Sequence, residues 1–201
     1  MRFWIIIGLF FPFLTFAQGS DYSVWEVSTA SKVVVEGASN VNEFQCATAH
    51  YRGSDLLRKT FLPASSTWRL TGKIEMEVRS FDCENRMMTR DLRHTLKADD
   101  YPRITIEILS LEIPENPVSG QKVSGKADIT LAGNSRTFDI RWTLVHDDDR
   151  MRLMGKQDFK FTQFNLDPPT KMMGMIQVKN DIVVDFDLSM QLIEASDLSS
   201  D

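Results

Sequence analysis

The groups able to do chemistry in this sequence are few. They are three histidines, two cysteines, the pair Asp99-Asp100, the triple Asp147-Asp148-Asp149 and a run of basic residues after residue 85. His50, His94 and His146 are scattered over a strand, a helix and a strand end. The chain has no Gly-x-Ser-x-Gly elbow, no His-Glu-x-x-His and no Gly-rich phosphate loop, so the usual signatures of acyl transfer, zinc proteolysis and nucleotide chemistry are missing. Asp99-Asp100 reads as a helix exit and the triple Asp as a surface turn. The triple also lacks the spaced oxygen ligands of a calcium loop. The catalytic and metal assignments are therefore none, and a hydrolase would need histidines or paired carboxylates that meet only in the fold.

Cys46 and Cys83 stand 37 residues apart. In an oxidising compartment they can form a disulfide, if the fold brings their Cα atoms within about 7 Å. Two buried thiols are the other possibility. Arg86, Arg90, Arg93 and Lys97 recur at spacings of four, three and four. On a helix they form one basic stripe, which could grip an anionic or pyrophosphate head group, with Arg90 and Arg93 the candidates. The simpler reading is a solvated face neutralised by Asp82 and Asp91.

The elements that must position these groups are mostly strands. Ile182, Val184, Phe186, Leu188, Met190 and Leu192 alternate with Val183, Asp185, Asp187, Ser189 and Gln191. Alternation at period two marks a half-buried strand, because successive side chains point to opposite faces. The same period runs through Phe138–Leu144, Val123–Leu131, Ile104–Ile108 and Ile74–Val78. Weaker strands cover Val33–Gly37, Asn42–His50 and Met151–Thr162. Ala132-Gly133-Asn134-Ser135 is a hairpin signal. Pro114, Pro117 and Gly120 mark one loop, and Pro168-Pro169 with Gly174 another. Residues 85–96 break the pattern: Met88, Leu92 and Leu96 repeat every four residues, the spacing of one helix face.

About eight antiparallel strands with one apolar face each predict an all-β fold, a sheet closed into a barrel, with one short helix. A sandwich is the competing arrangement. A barrel of this size has room inside for side chains or for one small ligand.

Composition bounds the rest. The chain has 201 residues, 42% hydrophobic, and a formal charge of −5. An acidic balance argues against nucleic acid as the partner. Two cysteines cannot build a disulfide scaffold or a four-thiolate zinc site. Thirteen of the first seventeen residues are apolar. A positive start, an apolar run of about 14 residues and the small Ala17 read as a cleavable signal peptide. The run is short for a membrane span and Pro12 interrupts it. Removal of residues 1–17 leaves 184 of the 201 residues and, with Arg2 gone, a charge of −6. The expected organisation is a signal peptide at 1–17, one barrel domain at 18–193 and a frayed polar tail at 194–201. The expected location is the periplasm or the exterior, with no transmembrane segment in the mature chain.

Several segments in this order resemble the YceI-like family of exported lipid- or polyisoprenoid-binding domains. They are Val35-Glu36-Gly37-Ala38-Ser39-Asn40, Val78-Arg79-Ser80-Phe81-Asp82-Cys83 and Leu96-Lys97-Ala98-Asp99-Asp100-Tyr101-Pro102. Val123-Ser124-Gly125, Leu131-Ala132-Gly133, Gln163-Phe164-Asn165-Leu166-Asp167-Pro168-Pro169 and Val178-Lys179-Asn180-Asp181 follow. The resemblance spans roughly residues 31–192. This chain has Gln163-Phe164-Asn165 where members often have Asp-Phe-Gly. The resemblance implies a lipocalin-like extended barrel with an apolar channel for an isoprenoid tail. On that reading Val33, Val35, Phe44, Ile74, Met76, Ile104, Ile106, Ile108, Phe138, Ile140, Trp142 and Phe164 line the channel. No cofactor is required, and the bound molecule would be a polyisoprenoid or quinone-type lipid. From periodicity alone the same faces are a close-packed dry core, which makes a structural or partner-binding barrel the alternative.

Overall fold

A computed structural model describes residues 22–48, 51–147 and 149–193. The signal peptide, His50, Asp148 and the C-terminal tail lie outside the described residues. Among the described residues there are twelve strands, beginning with β1 (Tyr22–Val27), β2 (Lys32–Ser39), β3 (Glu43–Thr48), β4 (Leu56–Leu62), β5 (Thr67–Glu77) and β6 (Phe81–Asp82). After the helix α1 (Arg86–Thr95) come β7 (Arg103–Pro114), β8 (Gln121–Leu131), β9 (Asn134–Asp147), β10 (Arg150–Lys160), β11 (Thr170–Lys171) and β12 (Ile176–Ile193).

The sheet closes on itself. The order β1-β4-β5-β7-β8-β9-β10-β12 returns to β1 through a β1–β12 pairing. All pairings are antiparallel, and closure excludes the sandwich. The ring has the expected eight strands, but two of its members differ from the expected set. Sequence periodicity picks out β2 and β3 and passes over β1 and β4. In the structure β1 and β4 complete the ring, while β2, β3 and β6 form a side sheet. The cause is the length of β12. Its C-terminal stretch pairs with β1, Val27 opposite Met190 and Val24 opposite Ile193. Its earlier stretch pairs with β2, from Val178 opposite Ser39 to Asp187 opposite Lys32. The β1–β2 connection crosses this junction. There Ser189 N–H donates to Ser31 Oγ at 3.0 Å, and Ser28 N–H donates to the Ser189 carbonyl at 2.8 Å.

The barrel therefore has two ends. At the closed end Trp25, Val27, Leu57, Leu70, Leu111, Ile113, Leu144, Met151, Leu153 and Leu188 are at most 2% exposed. Tyr22 and Ile193, the two edges of the described domain, lie there too. The other end carries β2, β3, β6 and α1. One bulge, on β7, adjusts the ring. Register shifts between Ile108 and Ser110, so Leu109 turns outward and is 39% exposed, while Leu111 and Ile113 point inward. The same extra residue of β7 shifts its register against β5, between Leu70 and Gly72, and Gly72 takes φ +147° there. The hairpin between β8 and β9 has two residues, Ala132 and Gly133, both at positive φ, the backbone a right-twisted two-residue turn needs. A Cβ on Gly133 would also lie 2.6 Å from the Tyr101 ring.

The helix is anchored at its start. The Asn85 side chain accepts hydrogen bonds from the N–H groups of Met87 and Met88, which satisfies two of the first-turn donors. Thr89, buried in α1, accepts from the Cys83 N–H at 3.0 Å and donates to Asp82 Oδ1. Cys83 is bonded to Cys46 of β3, their Cα atoms 4.0 Å apart. The bond closes a 37-residue separation and ties α1 to the side sheet. By the chain-entropy argument it stabilises by about 3–4 kcal/mol. Urea unfolding with and without reductant should show a loss of that size, matched by Cys46→Ser. Unchanged stability on reduction would show that the helix and side sheet hold without it.

Candidate functional site

Inside the upper half of the barrel lies a chamber of about 70 Å³. Its lining is apolar apart from Lys160. Of the twelve expected lining residues, Val33, Val35, Phe44, Met76, Ile104, Ile106 and Phe164 bound it. Ile74, Ile108, Ile140 and Trp142 are not in the lining and are at most 2% exposed, packed in the solid core. Phe138 is half-buried outside the lining, edge-on to Phe159 at 4.7 Å between centroids and 6.0 Å from Phe164. Trp142 rests on Gly155, where a Cβ would lie 2.9 Å from its ring, and stands 5.7 Å from Phe186.

Other lining residues were not singled out from sequence. Ile182, Val184 and Phe186 belong to the inward face of β12 and were visible in its alternation. Leu92 and Leu96 belong to the helical stripe. Phe161, expected at the end of the weak strand Met151–Thr162, sits instead in a 3-10 turn (Phe161–Phe164) after β10 ends at Lys160.

Outside the chamber, between α1, β3 and the segment before β12, runs a groove of about 330 Å³. Met87, Met88, Val41, Pro169, Ile176 and Val178 help to line it. Phe44, Leu92 and Phe161 line both the groove and the chamber, so these three side chains are the partition between them. Phe44 lies opposite Gly37 on β2, and a Cβ on Gly37 would come within 2.4 Å of its ring. The glycine thus makes space for the partition ring. One ion pair crosses the groove end: Lys171 Nζ lies 2.5 Å from Asp91 Oδ1.

A second hollow, of about 490 Å³ and polar, opens through the wall where β3 and the upper part of β5 do not pair. Side chains bridge this notch. Tyr51 is buried, and its hydroxyl donates to Asp55 Oδ2 at 2.5 Å. The same oxygen accepts from the Glu75 N–H at 2.8 Å. Burial, and then the Asp55 carboxylate, push the Tyr51 phenol far above its ordinary range. The Lys73 ammonium, hydrogen-bonded to Glu75, and the nearby Arg103 hold the Glu75 carboxyl below its usual range. Met76 and Phe81 border both this hollow and the chamber.

The two head-group candidates separate. Arg93 turns into this wall, where its Nη2 donates to the carbonyls of Arg79 at 2.8 Å and Phe81 at 3.4 Å. Arg90 is exposed on the outer face of α1, with Arg86 and His94. The two described histidines lie at opposite ends: His94 on α1, His146 against Trp25 at the closed end, 6.1 Å between rings. Asp99 pairs with Arg79 on the surface.

The arrangement favours enclosure of an apolar group, with a mouth, a partition and a dry interior. The sequence matches no protein-family model, and no curated protein matches it. Solved structures do match. A crystal structure of BcnA from Burkholderia cenocepacia superposes with TM-score 0.62 at 20% identity, over 81% of this chain and 98% of that one. A polyisoprenoid binding domain from Saccharophagus degradans gives TM-score 0.59 at 14% identity, over 84% and 98%. This chain has the YceI-like fold. A Campylobacter jejuni YceI protein matches with TM-score 0.51 at 13% identity, over 96% of this chain and 99% of that one.

The Tyr51–Asp55 bridge carries a pH signature. The phenol stays protonated in the folded state, whereas the unfolded chain releases that proton near pH 10. Its contribution is full below pH 10 and is lost as pH rises above it. Tyr51→Phe should cost about 1.5–3 kcal/mol at neutral pH, the range for a hydrogen bond to a charged group. The gap to the parent protein should narrow above pH 10. Denaturant midpoints for both proteins across pH 7–11 check this, and a constant gap would rule out the assigned shift.

Proposed function

We propose that this protein is an exported binding protein that holds a long-chain apolar lipid, of isoprenoid or quinone type, with its tail inside the barrel. The observation that carries the reading is an apolar chamber separated from an outer groove only by Phe44, Leu92 and Phe161. Burial of a hydrocarbon tail gains roughly 25 cal/mol per Å² removed from water and needs shape rather than a reactive motif. The S. degradans domain of the same fold is described as polyisoprenoid-binding, which supports a binder rather than an enzyme. Export rests on the sequence of residues 1–17 and agrees with the Cys46–Cys83 bond, since disulfides persist in oxidising compartments.

The volume sets a condition. A small-molecule pocket usually has about 300–1,000 Å³, and the chamber has about 70 Å³. As it stands it takes only the end of a chain. A longer tail requires the partition to swing open and join chamber and groove. This population of open barrels is one the ligand itself would favour. The same small volume also favours a second reading, a barrel whose core is filled and which acts through its surface.

Polyprenol binding separates the two. Delipidated protein should take up a polyprenol in solution with one molecule per barrel. Val35→Phe, which puts a ring into the chamber, should weaken that uptake at least tenfold with little change in the thermal midpoint. Absence of uptake by the parent protein would leave the filled barrel as the reading.

A further inference from the structure

A lipid tail has to reach the groove from somewhere, and the groove's rim is built unlike the rest of the surface. The 3-10 turn Met172–Gly174 and the following Met175 place three methionines in water: Met172 and Met175 are largely exposed and Met173 fully so. Val41 and Met87 are exposed beside them. No other exposed large apolar residues among the described ones fall within three residues of each other. Here hydrogen bonds show that the exposed residues share one rim. Asn40 Nδ2 donates to the Met175 carbonyl at 2.8 Å, and Gln177 N–H donates to Asn40 Oδ1 at 2.9 Å, which fastens the Met turn to the Val41 loop. The Lys171–Asp91 pair fastens the other side of the turn to α1, one helical turn from Met87.

The turn is also held in a costly shape. Met172 and Met173 have φ of +51° and +54°, the left-handed region that side-chain-bearing residues seldom adopt. Met175 N–H to the Met172 carbonyl (3.2 Å) and Gln177 Nε2 to the Gly174 carbonyl (2.9 Å) keep it there. The result is an ordered projection of flexible thioethers rather than a collapsed loop. Charge completes the rim. Arg86, Arg90 and His94 are exposed on the face of α1 adjoining Met87. The groove's own carboxylate, Asp91, is neutralised by Lys171. Glu43 and Glu84 face a separate hollow beyond Met88.

We propose that this end of the barrel docks on an anionic bilayer. Met172, Met173, Met175 and Val41 enter the acyl boundary, and Arg86 and Arg90 meet lipid phosphates, as apolar insertion and cationic attraction combine in interfacial binding. The proposal deepens the carrier reading and rests on it, because docking there sets the groove against the phase that holds the lipid.

Co-flotation tests it with the full mature chain and two sets of vesicles, phosphatidylcholine alone and phosphatidylcholine with phosphatidylglycerol. The parent protein should float with the anionic vesicles, less at raised salt, and weakly with the neutral ones. The double variant Met173→Asp, Met175→Asp should bind anionic vesicles at least tenfold less. Arg86→Glu with Arg90→Glu should erase the difference between the two vesicle types. All variants should keep polyprenol uptake in solution, measured without vesicles, which shows that they fold. Val35→Phe should lose uptake and keep flotation, so docking and ligand binding fail separately. Flotation of the Met double variant at the parental level overturns the proposal. So does a parent protein that ignores vesicles but sediments as a dimer that Met173→Asp dissolves, since the rim would then be a contact between copies.

Discussion

The structure depends on one strand having two neighbours on the same edge. Along its other edge β12 pairs with β10 from Arg150 to Lys160 without a break. Where β2 gives way to β1, the sheet must divide, since β3 follows β2 and β4 follows β1. Below the division the eight-stranded ring is complete and its interior is solid. Above it β2 takes the place of β1 beside β12, and the inward side chains enclose the chamber. The chamber, the groove and the polar notch all lie on this upper side. None of them has a binding motif behind it. They are the space left by a sheet that stops being an even cylinder.

That geometry explains why polar side chains occupy a wall that backbone ladders build elsewhere. The upper stretch of β5 has β7 on one edge and, among the described residues, no strand on the other. A buried N–H left there without a partner is costly, and the Asp55 carboxylate accepts one of them, from Glu75. Tyr51 covers that carboxylate from within. At the closed end Lys59, the one buried cation among the described residues, is treated differently. Lys59 is 9% exposed, with its ammonium 4.8 Å from the Trp68 ring and 5.5 Å from Trp25. Burial lowers its pKa, and the aromatic faces supply part of what water would have given.

Period two made most of the ring legible in the sequence, because one face of each strand meets the core and the other meets water. The strands it passed over break that rule for physical reasons. In β4 the inward positions are Leu57, Lys59 and Phe61, so a charge interrupts the apolar face. In β1 apolar residues stand on both faces, with Val24 outside and Trp25 and Val27 inside. The site was legible in part. Alternation tells which way a side chain points. It does not tell how far the opposite wall stands, and that distance separates Ile104 and Ile106, at the chamber, from Ile74 and Ile108, in solid packing. Of the partition, Phe44 was among the expected lining residues, whereas Phe161 lies in a short turn past the end of β10.

Because Val24 pairs with Ile193, both edges of the described domain leave from the pole opposite the groove. A β12 of 18 residues separates these poles by up to about 60 Å along the strand. Anything joined to either edge is therefore moored at the bottom of the vessel. A graft at that pole leaves the rim unobstructed, and a short leash to a surface holds the opening away from that surface. The leash must be long enough for the barrel to turn over before rim and mooring can share one plane.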